Sequence, residues 1–87
     1  KHMSLRLLGA QAACATSGGS NFEQAPEVRL FNPSAAEVLV TVTTAAGVSI
    51  GTFSLEAGAT EVISKYPGDL VLAASVAVLG TPVTTRR

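Results

Sequence analysis

Apolar and polar positions alternate with a period of two along most of the chain, which is the pattern of half-buried strands rather than helices. The clearest case is Glu37-Val38-Leu39-Val40-Thr41-Val42-Thr43-Thr44, with Val38, Val40 and Val42 on one side and Leu39, Thr41 and Thr43 on the other. The valine side is the expected core face. Ala45-Ala46-Gly47 follows, and Val48-Ser49-Ile50-Gly51-Thr52-Phe53 begins at once, so Gly47 suits the left-handed position of a short hairpin loop. This hairpin predicts a core built on Val38, Val40, Val42, Val48 and Ile50. Gly51 inside the second strand predicts a bulge that changes the face of Phe53 and Leu55 relative to Val48 and Ile50.

Further strands are predicted at Leu5 to Leu8, at Glu27-Val28-Arg29-Leu30-Phe31, at residues 59–65, at residues 70–74 and at residues 76–84. Turn chemistry separates them: Asn32-Pro33-Ser34, Glu56-Ala57-Gly58 and Tyr66-Pro67-Gly68-Asp69. About seven strands with turns between them and no 3.6-residue stripe predict an all-β domain, a small antiparallel β-sandwich or barrel of immunoglobulin-like or jelly-roll-like form. Residues 10–25, centred on Thr16-Ser17-Gly18-Gly19-Ser20-Asn21, carry no periodic pattern. So long a connection reads either as an arm reaching a neighbouring subunit or as a flexible surface loop. Lys1 and His2 read as the remnant of a tag, with Met3 as the start and residues 4–87 as one domain.

Composition narrows the function. The 87 residues are 47% hydrophobic but only 14% charged, with six basic and six acidic side chains and a mean hydropathy of +0.41. Low charge with high hydrophobicity argues against disorder. Without a basic stripe the chain has no means of neutralising phosphates, so nucleic acid is not an expected partner. No apolar run approaches the ~18 residues of a membrane-spanning helix, and no membrane partner is expected. Ala10-Gln11-Ala12-Ala13-Cys14-Ala15 imitates a cleavage site, but the apolar run before it is too short for a signal peptide. Cys14 is the one cysteine and reads as a small residue half-buried in a loop.

Catalytic parts are scarce. One His, one Cys and one Asp cannot furnish a nucleophile with its base or a zinc cluster, and Glu23, Glu27, Glu37, Glu56 and Glu61 are scattered. The expectation is a protein that is not an enzyme and takes no cofactor or metal. Lys65-Tyr66-Pro67-Gly68-Asp69 reads as a contact patch or as a well-formed turn with an internal ion pair, and Arg86-Arg87 as a solvated tail.

The string Val28-Arg29-Leu30-Phe31-Asn32-Pro33-Ser34, then Val38 to Thr44, Gly47 to Gly51, Phe53-Ser54-Leu55-Glu56-Ala57-Gly58, Lys65 through Asp69 to Ala73-Ala74, and Thr81-Pro82-Val83, resembles small virion proteins of tailed bacteriophages, of the kind common in marine podoviruses. The resemblance spans most of residues 4–85 and carries no catalytic residue. It implies a structural role in the virion, in capsid decoration or another accessory position of the head or neck, with the capsid as a partner and a trimer as the assembly. Low charge and uncovered apolar faces independently predict a homo-oligomer. Residues 70–85 hold no charge and are the cheapest surface to desolvate, so Leu70, Leu72, Val76, Val78, Leu79 and Val83 are the expected interface, unless these strands are the domain's own core. The alternatives are an immunoglobulin-like adhesion or carbohydrate-binding module, and a domain of a cell-surface array.

Overall fold

The computed structural model describes residues 4–86, with strands, turns and loops and no helix among them. The expectation for Lys1, His2 and Met3 lies outside the described residues. Eight strands follow in order: β1 Ser4–Leu7, β2 Ala12–Ala13, β3 Glu27–Phe31, β4 Val38–Thr43, β5 Ser49–Leu55, β6 Thr60–Ser64, β7 Leu70–Ala73 and β8 Leu79–Arg86. All pair antiparallel in two sheets. The larger runs β1-β8-β3-β6, with β2 also on β8; the smaller runs β5-β4-β7. The fold is the all-β sandwich that the alternation predicts, with β2 as an element too short to leave a periodic signature.

Packing follows from the pleat. Val28 and Leu30 of β3 and Val78 just before β8 meet Val38 and Val40 of β4, Leu55 of β5, and Val71 and Ala73 of β7. The shared core removes both inner faces from water, which is the main driving force available to a domain of this size. Branched side chains suit it, because they lose little freedom on a pleated surface.

The hairpin core is smaller than predicted. Val38 and Val40 are buried and Val42 half-buried, but Val48 and Ile50 are 63% and 56% exposed. Register explains the difference: Val38 pairs Leu55, Val40 pairs Phe53 and Val42 pairs Gly51, so the odd positions of β5 share the valine face. The next pair is Thr43 with Ser49, which leaves Ile50 as the extra residue of a bulge. Ile50 borders the same mouth as Phe53, and the predicted bulge exists. The expected core contribution of Val48 and Ile50 does not.

The unpatterned segment belongs to its own domain. Cys14, Phe22 and Ala25 are buried, Ala12–Ala13 pair β8, and the Cys14 amide donates to the Val78 carbonyl at 2.8 Å. Farther on, Ser20 exchanges backbone bonds with Val71 at 3.0 and 2.9 Å, and the Ala73 amide donates to the Ala15 carbonyl at 2.9 Å. These bonds close the free edge of β7. Phe22, Glu23 and Gln24 then take left-handed φ of 50°, 60° and 61°, each costing about 1–2 kcal/mol outside glycine. The Phe22 ring holds this turn in place over Gly80, where a Cβ would stand only 2.5 Å from two ring carbons. A glycine in β8 is thus the counterpart of the strained turn.

Candidate functional site

The six expected interface residues do not form one patch, because β7 and β8 lie in different sheets. Leu70 and Leu72 pair Thr43 and Thr41, which puts them on the outer face of the smaller sheet. Gly19 lies against that pair; a Cβ there would meet the Leu70 Cβ at 2.7 Å. Leu79 and Val83 pair Phe31 and Glu27 on the outer face of the larger sheet. Val76 is exposed in the turn before β8, whereas Val78 is fully buried in the core. Val83 is also fully buried beneath its neighbours. Val78 and Val83 therefore have no surface to give a partner, and the uncharged run serves as internal packing at those positions.

A different set of residues makes an apolar surface. Leu7 pairs Val83, Arg29 pairs Val62 and Thr81, and Phe31 pairs Leu79, so all of them share the outer face of the larger sheet with Leu5. Leu7 is 67% exposed; Leu5 and Val62 are exposed as well, and Phe31 and Leu79 are half-buried. Among the described strand residues of that face the charged ones are Arg29 and Glu27, one of each sign.

The second feature is a mouth between the edges of the two sheets, where β5 faces β6. Val42, Phe53 and Ile63 line it, and Gly51 leaves it open because nothing stands within 4 Å of where a Cβ would be. Beside it lies a cleft of about 370 Å³ bounded by Ile50, Ser64, Lys65, Tyr66 and Asp69. The rim is built by the Lys65–Asp69 turn. The Tyr66 amide donates to Asp69 Oδ2 at 3.1 Å, and the Asp69 amide donates back to the Tyr66 carbonyl at 2.9 Å. Lys65 Nζ donates to the carbonyls of Pro67 and Tyr66 at 3.0 and 3.3 Å. Burial pulls the Lys65 pKa below the ordinary lysine value, while the Asp69 carboxylate acts in the opposite sense. Asp69 is thereby committed to the turn it caps, and Tyr66, 80% exposed, stands free of it.

Cys14 is more deeply placed than a loop residue would be. Its Sγ lies 3.8 Å from the Val71 carbonyl, and burial pushes the thiol up to about 11. A thiol that holds its proton is a poor nucleophile. Alkylation at pH 8 should therefore be slow in the folded protein and fast after unfolding; equal rates would contradict the buried placement. The unfolded thiol ionises near 9 and the folded one near 11, so this group's contribution is intact below pH 9 and lost as pH rises toward 11. Among the described residues no three His, Cys, Asp or Glu side chains gather as a metal site. Nor do the described residues contain a helix long and apolar enough to cross a membrane.

Asn32 does more than form the turn that the Asn32-Pro33-Ser34 string predicts. It is fully buried and joins two loops: Nδ2 donates to the carbonyls of Ala36, Leu55 and Glu56 at 2.8, 2.9 and 3.2 Å. Its Oδ1 accepts from the Ser34 amide and hydroxyl at 3.0 and 2.7 Å. An Asn followed by Pro signals a turn, but nothing local signals partners 23 and 24 residues away.

Fold and surface together define a small antiparallel β-sandwich whose distinctive features are an apolar outer face and an open mouth. Comparisons with protein-family models, with curated proteins and with solved structures gave no match.

Proposed function

We propose that the chain is a non-enzymatic structural protein of a phage particle, a capsid-decoration or head–neck accessory protein that acts by self-association and shell binding. The observation that supports this reading best is the outer face of the larger sheet, where Leu5, Leu7 and Val62 are exposed beside Phe31 and Leu79. Apolar sheet faces left in water are costly, and covering them drives association. The resemblance of residues 4–85 to tailed-phage virion proteins supplies the setting, the virion, and the trimer as the expected assembly.

Leu7→Lys tests it. The side chain is already mostly in water, so folding should survive, while binding to purified particles lacking the protein should weaken at least tenfold, about 1.4 kcal/mol or more. Unchanged particle binding by a folded Leu7→Lys variant would count against this face, and absence of the chain from purified particles by mass spectrometry would count against the setting.

One feature favours the adhesion or carbohydrate-binding alternative: Tyr66 stands exposed beside a cleft with Ser64 and Lys65 on its rim, an aromatic next to polar groups. A glycan titration in which a signal is abolished by Tyr66→Ala would establish that reading; a flat titration would remove it.

A further inference from the structure

We propose that β5 is a strand-pairing edge for a second copy of this chain, so that two smaller sheets join in one six-stranded sheet, β7-β4-β5 continued by the partner's strands in reverse order. This deepens the self-association half of the reading above and is independent of the phage setting and of the outer face of the larger sheet. The edges of the two sheets are protected to different degrees. An edge strand presents unpaired N–H and C=O groups and recruits another strand unless it is short, charged, bulged or covered. β7 is covered by Ala15 and Ser20 through their backbone bonds. β1 is four residues long and carries Arg6. β6 carries Glu61 and runs directly into Lys65. Among the described strands β5 pairs only with β4 and is seven residues long; its bulge at Ile50 blunts one end and leaves residues 51–55 regular, in a hairpin with no charged side chain from Val38 to Leu55.

Lack of charge decides the occupant. A two-fold pairing sets a strand against its own copy, so any charge near the centre would meet its like. Here none exists, and a second copy is accepted without repulsion. The bulge at Ile50 sets the register, because it ends the regular part of the edge and leaves residues 51–55 as the flat stretch. The midpoint of that stretch is Phe53. Pairing about it puts Phe53 opposite its copy, Thr52 opposite the copy's Ser54 and Gly51 opposite the copy's Leu55. Phe53 lies on the inward face of β5 and is half-buried in the mouth beside Val42 and Ile63. A paired copy carries its own Phe53 onto that mouth, which removes apolar surface from water on both sides of the axis.

Thr52 and Ser54 are exposed and lie on the outward face of β5, so charging them leaves the core alone. The double variant Thr52→Lys with Ser54→Lys should lower the mass in light scattering at high micromolar concentration from two chains to one of 8.8 kDa. The double variant Thr52→Glu with Ser54→Glu should do the same. Mixing the two should restore the two-chain mass, because Lys and Glu then stand opposite each other across the axis. Amide hydrogen exchange within residues 51–55 of the unmodified protein should slow as concentration rises, a readout that needs no variant. The proposal is overturned by a unmodified protein that stays a single chain, by Lys and Glu variants that keep the parent's mass, or by a mixture that stays monomeric. Leu7→Lys separates it from the preceding reading: loss of two-chain mass there with none in the β5 variants places self-association on the outer face instead.

Discussion

Val40→Asp should abolish cooperative folding. Val40 is fully buried on β4, the central strand of the smaller sheet, between Phe53 on one side and Ala73 on the other. An unpaired carboxylate in that position costs several kcal/mol whether it ionises or stays protonated, and small domains hold only about 5–15 kcal/mol in total. The chain is expected to lose its sheet signal in circular dichroism and to show no melting transition. Ile50→Asp in the same hairpin is the comparison. Its side chain is largely in water, so that variant should melt within a few degrees of the parent. Equal damage from both substitutions would mean that the register of β5 is not the one described.

Asn32→Ala should have the next largest effect. The alanine removes the two amide N–H donors shared among three carbonyls and the oxygen that accepts from Ser34, so polar groups around a fully buried site lose their partners together. Each buried group left unpaired costs about 1–3 kcal/mol, so a loss of about 3 kcal/mol or more is expected, which in a domain of this size lowers Tm by roughly 15 °C. Asn32→Asp sharpens the test. It keeps the acceptor for Ser34 but replaces the amide donors with an oxygen facing three carbonyl oxygens, and it should be no more stable than the alanine variant. A melting temperature within a few degrees of the parent for both would show that the loops hold without this residue.

These two residues mark how far the sequence could be read. Val40 was legible because a period of two is a local property: every second residue of a strand faces the same way whatever lies across from it. The same holds for Gly47, whose left-handed φ of 88° is demanded by the loop it closes. Asn32 was legible as a turn and illegible as a hub, since its donors reach Leu55 and Glu56 only when the second half of the chain has folded back.

Pattern alone determined that the chain is all-β, where most strands begin and end, and that valines at 38 and 40 form a core. Tertiary structure decided the rest, and the reason is the same in each case: a strand's alternation says which residues share a face but not which face is buried. Val48 and Ile50 alternate as well as Val38 and Val40, yet both stand in water, Ile50 as the extra residue of a bulge on an edge strand and Val48 before the first residue of that strand. The uncharged run of residues 70–85 reads as one surface, yet its two strands go to opposite sheets and divide it between two outer faces and the core. Residues 10–25 show no pattern because their work is done by contacts distant in sequence: Phe22 over Gly80, Ser20 beside Val71, Cys14 beneath the Val71 carbonyl. Such contacts depend on where other segments come to lie, which no local spacing of residues records.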